Sequence, residues 1–313
     1  VTDNVNIYAN VISRLNLKRV TSRSDGKYAA AFLPVAEPTN PQSKGGPMTT
    51  MIAHARKLCR TTLAVCGIAC LPFAALAQED QANGTSFVDN FDHLNSGLWY
   101  VSDGWNNGPH QNCTWSKKQV GVENGILQLH FAEQKTADRS YVCGEISSLK
   151  RYGYGTYEAR IKSASDSGLN SAFFTYIGPT DKKPHDEIDF EVLGKNTGQV
   201  QVNQYISAKG GNEKLVPVAG GADKGFNDYA FVWDKDRLRY YLNGRLVQEV
   251  TDPSKIPTHA QKIFFSLWGT DTLTGWMGKL AYSQPATMQV DRLAFTAAGE
   301  KCQFPESVAC ALN

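Results

Sequence analysis

The chain has no Cys-x-x-Cys pair and no His/Cys cluster, so nothing in it shows the ligand spacing of a zinc site. It lacks any long segment in which apolar residues recur every three to four positions, which argues against a helical bundle. There is no internal repeat. Beyond residue 77 no apolar run approaches the roughly 20 residues that a membrane-spanning helix needs. An excess of positive charge is missing too. The 313 residues include 32 basic and 30 acidic side chains, but nine of the basic ones and only three of the acids lie in 1–77. Residues 78–313 therefore hold 23 basic against 27 acidic side chains, a net charge of −4, and offer nucleic acid no basic surface.

The first 77 residues read as a processing region. His54, Arg56, Lys57 and Arg60 precede an apolar stretch, Leu63 to Leu76, that ends in Ala75-Leu76-Ala77. A basic start, an apolar middle and a small-x-small end are the parts of a secretory signal peptide in their working order. It is expected to span 48–77. Residues 1–47 contain Pro34, Pro38, Pro41 and Pro47 and no clean periodicity, and are expected to be a disordered extension from a start site placed too early. A short linker, 78–85, would lead into a domain at 86–297 and a tail at 298–313. The expected location is periplasmic or secreted, with no membrane contact after cleavage. Four cysteines remain in the exported part: Cys113, Cys143, Cys302 and Cys310. An even number suits an oxidising compartment and allows three pairings. Proximity favours Cys113 with Cys143 and Cys302 with Cys310.

From Ser86 onward, short alternating runs are divided by Gly, Asn, Asp and Pro. Gly125–Phe131, Gly155–Ile161, Ala172–Ile177, Asp228–Trp233 and Lys262–Trp268 are examples. Arg237–Leu242 and Arg245–Val250 flank Asn243-Gly244, a strong hairpin signal. The reading is all-β, a two-sheet antiparallel sandwich.

The most informative run is Pro184-His-Asp-Glu-Ile-Asp-Phe-Glu-Val-Leu193. Side chains in a strand alternate between faces, so Glu187, Asp189 and Glu191 point one way while Ile188, Phe190 and Val192 point the other. Three acids on one face repel each other and serve no purely structural end. Facing a cleft, they supply the two carboxyl groups that glycoside hydrolysis needs and a third to tune them. The plainer alternative is a solvated edge strand with an apolar back.

Glu187-Ile-Asp-Phe-Glu191-Val-Leu-Gly-Lys-Asn-Thr197 resembles the active-site signature of glycoside hydrolase family 16, in the unbulged form of the bacterial lichenases that cut β-1,3-1,4-glucans. Asn112–Trp115, Tyr152–Glu158, Phe173–Tyr176, Lys224–Phe226 and Tyr229–Phe231 are also similar, in the same order. The resemblance covers most of 86–296. It implies a jelly roll with a concave substrate cleft and a disulfide between Cys113 and Cys143. It also implies a retaining reaction in which Glu187 is the nucleophile, Glu191 the general acid/base and Asp189 a helper raising the proton affinity of Glu191. Substrate contacts would fall to Glu145, Phe174, Tyr176, His185, Asn203, Tyr205, Trp268 and Trp276, with His185 in the cleft wall. His110 and His185 do not have the spacing of a metal pair.

No cofactor is required by that chemistry. Members of the family often carry one structural calcium on the convex side, and the matching positions here are Asn90, Gly125 and Asp291. The expected partner is a polysaccharide, and the expected state a monomer. Three positions depart from the lichenase pattern, with His185 in place of Trp, Ser147 in place of Arg and Ser266 in place of Asn. Each change removes a stacking face, a cation or an amide. Together with the signal and the cysteine-bearing tail, they resemble the rhizobial branch of the family, which acts on succinoglycan, an acidic, branched exopolysaccharide. A transglycosylase would share every catalytic residue. A lectin-like sandwich would need no row of acids.

Overall fold

The structure, a computed structural model, describes residues 82–283 and 285–312. The expected leader, the signal peptide and the start of the linker lie outside the described residues. Sixteen strands carry almost all of the regular structure. The first six are β1 (Phe87–Asp89), β2 (Trp99–Val101), β3 (Cys113–Trp115), β4 (Val120–Glu123), β5 (Ile126–Glu133) and β6 (Tyr141–Ser148). Then come β7 (Gly155–Lys162), β8 (Leu169–Ile177), β9 (Asp186–Leu193), β10 (Gln199–Tyr205) and β11 (Lys214–Pro217). The last five are β12 (Asn227–Trp233), β13 (Leu238–Leu242), β14 (Arg245–Val250), β15 (Lys262–Gly269) and β16 (Ala286–Ala297).

They form a two-sheet jelly roll. The cleft sheet runs β11-β10-β9-β8-β15-β6, with β2 beside β6. The outer sheet runs β4-β5-β16-β7-β12-β13-β14, with β1 beside β16. All pairings are antiparallel except the short β3–β6 ladder, which is parallel. The predicted hairpin joins β13 to β14, with Asn243 and Gly244 at φ of 48° and 75°. Positive φ at both central residues matches the right-handed twist of the flanking strands.

Alternation sorts each strand between core and surface. Ile188, Phe190 and Val192 lie buried between the sheets, so the opposite face of β9 must carry the three acids. Phe173 stands at the centre of the core. Its ring centroid lies 5.2 Å from Phe265, 5.9 Å from Phe231 and 6.1 Å from Phe190. Trp99 is also core, packed on Phe91 and Phe265.

One strand belongs to both sheets. The first half of β6, Tyr141 to Cys143, pairs with β5; its second half, from Gly144, pairs with β15. The Cys113–Cys143 disulfide forms at this crossing. The Cys302–Cys310 disulfide closes the tail, which is fixed to the outer sheet by Glu158 of β7. The Glu158 carboxylate accepts hydrogen bonds from Ser307 Oγ and the Val308 N–H at 2.5 and 2.7 Å.

Asn90 and Gly125 approach Asp291 from two neighbouring strands, because β1 pairs with β16 up to Leu293 and β5 up to Val290. The Asp291 carboxylate, however, meets the Arg160 guanidinium at 3.1 Å. Calcium takes six to eight oxygens. Two carbonyls and one carboxylate shared with Arg160 would supply a minority of them, leaving the rest of the shell to water or other groups.

The crossing in β6 depends on close backbone approach. A Cβ at Gly144 would lie 2.5 Å from the Gln119 carbonyl oxygen, a contact only backbone movement can relieve. Gly144→Ala should destabilise the fold by roughly 1–3 kcal/mol. Urea denaturation checks this; an unchanged midpoint would contradict it.

Candidate active site

The acidic face of β9 forms the floor of a cleft of about 310 Å³. Glu187, Asp189 and Glu191 all line it, with Phe174, Phe264 and Trp268 as aromatic surfaces. Antiparallel register sets their neighbours. Glu187 faces Tyr176 on β8 and Tyr205 on β10, Asp189 faces Phe174 and Asn203, and Glu191 faces Ala172 and Gln201. Directly opposed residues in a ladder share a face. The side chains of three adjacent strands therefore meet at the acids.

The three carboxyl groups differ in their surroundings. Asp189 is buried and hydrogen-bonded to Glu187. Burial first, then the charges of Glu187 and Glu191, holds its carboxyl well above the usual range, so it keeps a proton and donates it. Glu191 accepts from Asn170 Nδ2 at 2.8 Å and Gln201 Nε2 at 3.4 Å. Burial pushes its pKa up to about 8 against the Asn170 hydrogen bond, and the charges of Glu187 and Glu213 add to the push. The residue keeps an open edge toward the cleft, where water moderates this effect. Asp189 and Glu191 interact as neighbouring carboxyls, and the charge of Glu191 is among the causes that raise Asp189. Glu187 Oε2 and His185 Nε2 share a hydrogen bond of 2.6 Å.

Other expected site residues fall in two layers. Glu145, Phe174, Tyr176 and Trp268 line the cleft. Glu145 accepts from Ser102 Oγ at 2.7 Å, and burial pushes its carboxyl up to about 8. Phe174, whose strand alternation left its face open, stacks on Phe264 at 4.9 Å. Trp276 stands 6.2 Å from Trp268 and donates its indole N–H to Gln201 Oε1. Asn203 is buried beside Asp189, beneath the lining. Tyr205 and His185 form a layer behind Glu187, their rings stacked at 5.2 Å. His185 is buried, with Tyr176 and Tyr205 packed against its ring.

Several residues were given no role at the site from the sequence. Asn170 shares the face of Ala172, Phe174 and Tyr176, and extending the strand two positions upstream would have found it. His110 sits edge-on to Trp268 at 5.6 Å, and burial depresses its imidazole to about 4, with the Arg139 charge adding to the effect. Arg139 left no sequence signal. It donates to the carbonyls of Gln111 and Gly108 at 2.6 and 2.9 Å and to Asn106 Oδ1 at 3.1 Å. It thereby holds the loop that closes one end of the cleft, where Trp105, Asn106 and Gly108 line the wall.

Comparison with known proteins agrees with this geometry. The model of the family "Glycosyl hydrolases family 16" matches residues 107–284. An endo-1,3-1,4-beta-glycanase, ExoK, of Rhizobium meliloti (strain 1021) is 72% identical over 228 residues, which is 73% of this chain and 85% of that protein. The chain belongs to glycosyl hydrolases family 16. It is accordingly a glycoside hydrolase. A beta-glucanase of Bacillus subtilis (strain 168) is 38% identical, over 75% of this chain and 96% of that protein. Among solved structures, the Bacillus licheniformis beta-glucanase is 36% identical with a TM-score of 0.65, covering 68% of this chain and 99% of that one. A laminarinase catalytic domain from Thermotoga petrophila, 18% identical with a TM-score of 0.60, shares the fold.

Within this family 16 chain, Arg139 acts on the shape of the cleft and not on the reacting carboxyls. Arg139→Ala should free the 105–111 loop, raising KM about tenfold while kcat changes less than threefold, the pattern of lost binding common to ground and transition states. Steady-state kinetics on polysaccharide checks this. A fall confined to kcat would contradict it.

Proposed function

We propose that this protein is an endo-acting β-glycanase that hydrolyses β-1,3-1,4-linked polysaccharide with net retention, and that its natural polymer is an acidic, branched exopolysaccharide of the succinoglycan type. The observation that carries the mechanism is the row of neighbouring carboxyls on β9 with unequal surroundings. Glu187 is hydrogen-bonded to His185 at 2.6 Å and to Asp189, while burial pushes Glu191 up to about 8. A retaining glycosidase needs one ionised and one protonated carboxyl on the same cleft. Glu187 attacks the anomeric carbon as Glu191 gives its proton to the departing glycosidic oxygen, and a glycosyl–enzyme ester forms. Glu191, now ionised, takes a proton from water. The hydroxide equivalent breaks the ester, returning Glu187 as carboxylate and Glu191 as acid.

The 72% identity to a protein named as an endo-1,3-1,4-beta-glycanase favours this linkage specificity. Ser147 and Ser266 favour a substituted polymer, since both are small where lichenases carry larger side chains. The cleft lining contains no Lys or Arg, so acidic substituents of the polymer would ride outside it. Export is part of the reading. It rests on the signal-like segment at 48–77 and on two disulfides suited to an oxidising compartment. Cell fractionation tests it, and protein retained in the cytoplasm with residues 48–77 intact would contradict it.

Residues 78–313 should release reducing ends from succinoglycan faster than from barley β-glucan, and Glu187→Gln should abolish both while polymer binding persists. The first-formed anomer, followed by NMR, should be β. Faster cleavage of plain β-glucan would make the enzyme an ordinary lichenase, an α product would refute retention, and dominant transfer to sugar acceptors would make it a transglycosylase. Polymer binding with no turnover by the unmodified protein would leave a lectin.

Protonation of Glu191 sets a second expectation. Its acid form is lost as pH rises through about 8, so kcat/KM on polysaccharide should fall there. Glu191→Ala should lose at least about 100-fold on polysaccharide yet keep most glycosylation activity on a dinitrophenyl glycoside, whose leaving group needs no proton. Equal losses on both would contradict the role.

A further inference from the structure

His185 stands where the lichenase pattern has Trp, and the fold gives the imidazole a task that sugar stacking does not explain. It precedes β9 by one residue and shares the face of Glu187 and Asp189. The ring is only 5% exposed. Tyr205 stacks on it with an interplanar angle of 20°, Tyr176 approaches at 61°, and the Ala208 N–H fixes the His185 carbonyl at 2.8 Å. Its Nε2 lies 2.6 Å from Glu187 Oε2. The ring is thus clamped, and its one polar contact with the site is Glu187.

We propose that His185 is a positioning residue for the nucleophile, donating its Nε2–H to Glu187 so that the carboxylate stays ionised and fixed in plane before attack. The proposal rests on the reading of Glu187 as the nucleophile. A charge-assisted hydrogen bond to a carboxylate is among the stronger ones and favours the ionised form. Together with the proton held by Asp189, it places one donor on each side of Glu187 along the strand. As the glycosyl ester forms, the negative charge of Glu187 disappears and both donors lose strength. They regain it when water releases the sugar. His185 therefore favours the ionised enzyme between turnovers and speeds the return to it.

The titratable groups around the imidazole are Glu187 on its own strand, the Tyr176 phenol on β8 and the Tyr205 phenol on β10. Asp186 and His259 are paired at 2.8 Å on the other face of β9. Burial holds both phenols above their usual range. Neither ionises in an ordinary assay.

The test compares His185→Phe, which keeps an aromatic ring and removes the donor, with His185→Gln, which restores an N–H. His185→Phe should lower kcat roughly 10- to 100-fold with KM within about threefold, and move the acid limb of kcat/KM to higher pH. His185→Gln should recover most of the rate and return the limb. A raised KM with unchanged kcat would make His185 a sugar contact and overturn the proposal. Equal impairment in both variants with an unmoved limb would make it mere packing. Because the ring also packs the strand, imidazole 15N NMR of the unmodified protein is the second readout. A protonated Nε2 is expected from pH 5 to 8, and a bare, accepting Nε2 overturns the proposal. Glu187→Ala with added azide separates the two readings. Loss of turnover with rescue as an α-glycosyl azide supports Glu187 as nucleophile, leaving His185 to stand or fall on its own variants. Undiminished turnover without azide removes both.

Discussion

Three carboxyl groups on alternate residues of one strand cannot all be ionised inside a protein, and that constraint organises this molecule. Like charges a few ångströms apart in a poorly solvated site raise each other's proton affinity until some keep their protons. The fold imposes the crowding. Ile188, Phe190 and Val192 are committed to the core, and period-two geometry then forces Glu187, Asp189 and Glu191 onto the cleft face. Asp189 resolves it by staying protonated and becoming a donor. Burial pushes Glu191 up as well, to about 8. The proposed division of catalytic labour follows from which of three similar groups is most buried and which has hydrogen-bond partners.

The rest of the sandwich supports that arrangement. The stacked phenylalanines behind β8, β9 and β15 keep the cleft sheet from shifting register, and a one-residue slip would turn the acids into the core. The crossing of β6 between sheets places Glu145 on the cleft side, while the disulfide at Cys143 secures the start of the same strand. Arg139 holds the end wall through carbonyls, so the loop's shape depends on one guanidinium more than on its own sequence.

Much of this was legible in the sequence because strand periodicity is a local signal. The acid row, the hairpin at Asn243-Gly244 and the division of Phe190 from Asp189 need only counting by twos. The disulfide pairs followed from spacing. What escaped depends on contacts between distant segments. Arg139 reaches residues about 30 positions earlier, Asn170 meets Glu191 across a strand pair, and Glu213 acts on Glu191 through space. The depth of His185 was not legible for a related reason. Alternation gives the face of a residue but not its depth, and two tyrosines from neighbouring strands cover the imidazole.

The division of roles on β9 can be read most directly by trapping. Protein incubated with a 2-deoxy-2-fluoro β-glycosyl fluoride of a gluco-oligosaccharide should accumulate the glycosyl–enzyme ester, because the fluorine slows its breakdown. Peptide mass spectrometry should then find one fluorinated oligosaccharyl group on Glu187 and none on Asp189 or Glu191. An adduct on Glu191 or Asp189, or none at all under conditions where natural polymer is cleaved, would contradict an ionised Glu187 acting as the nucleophile.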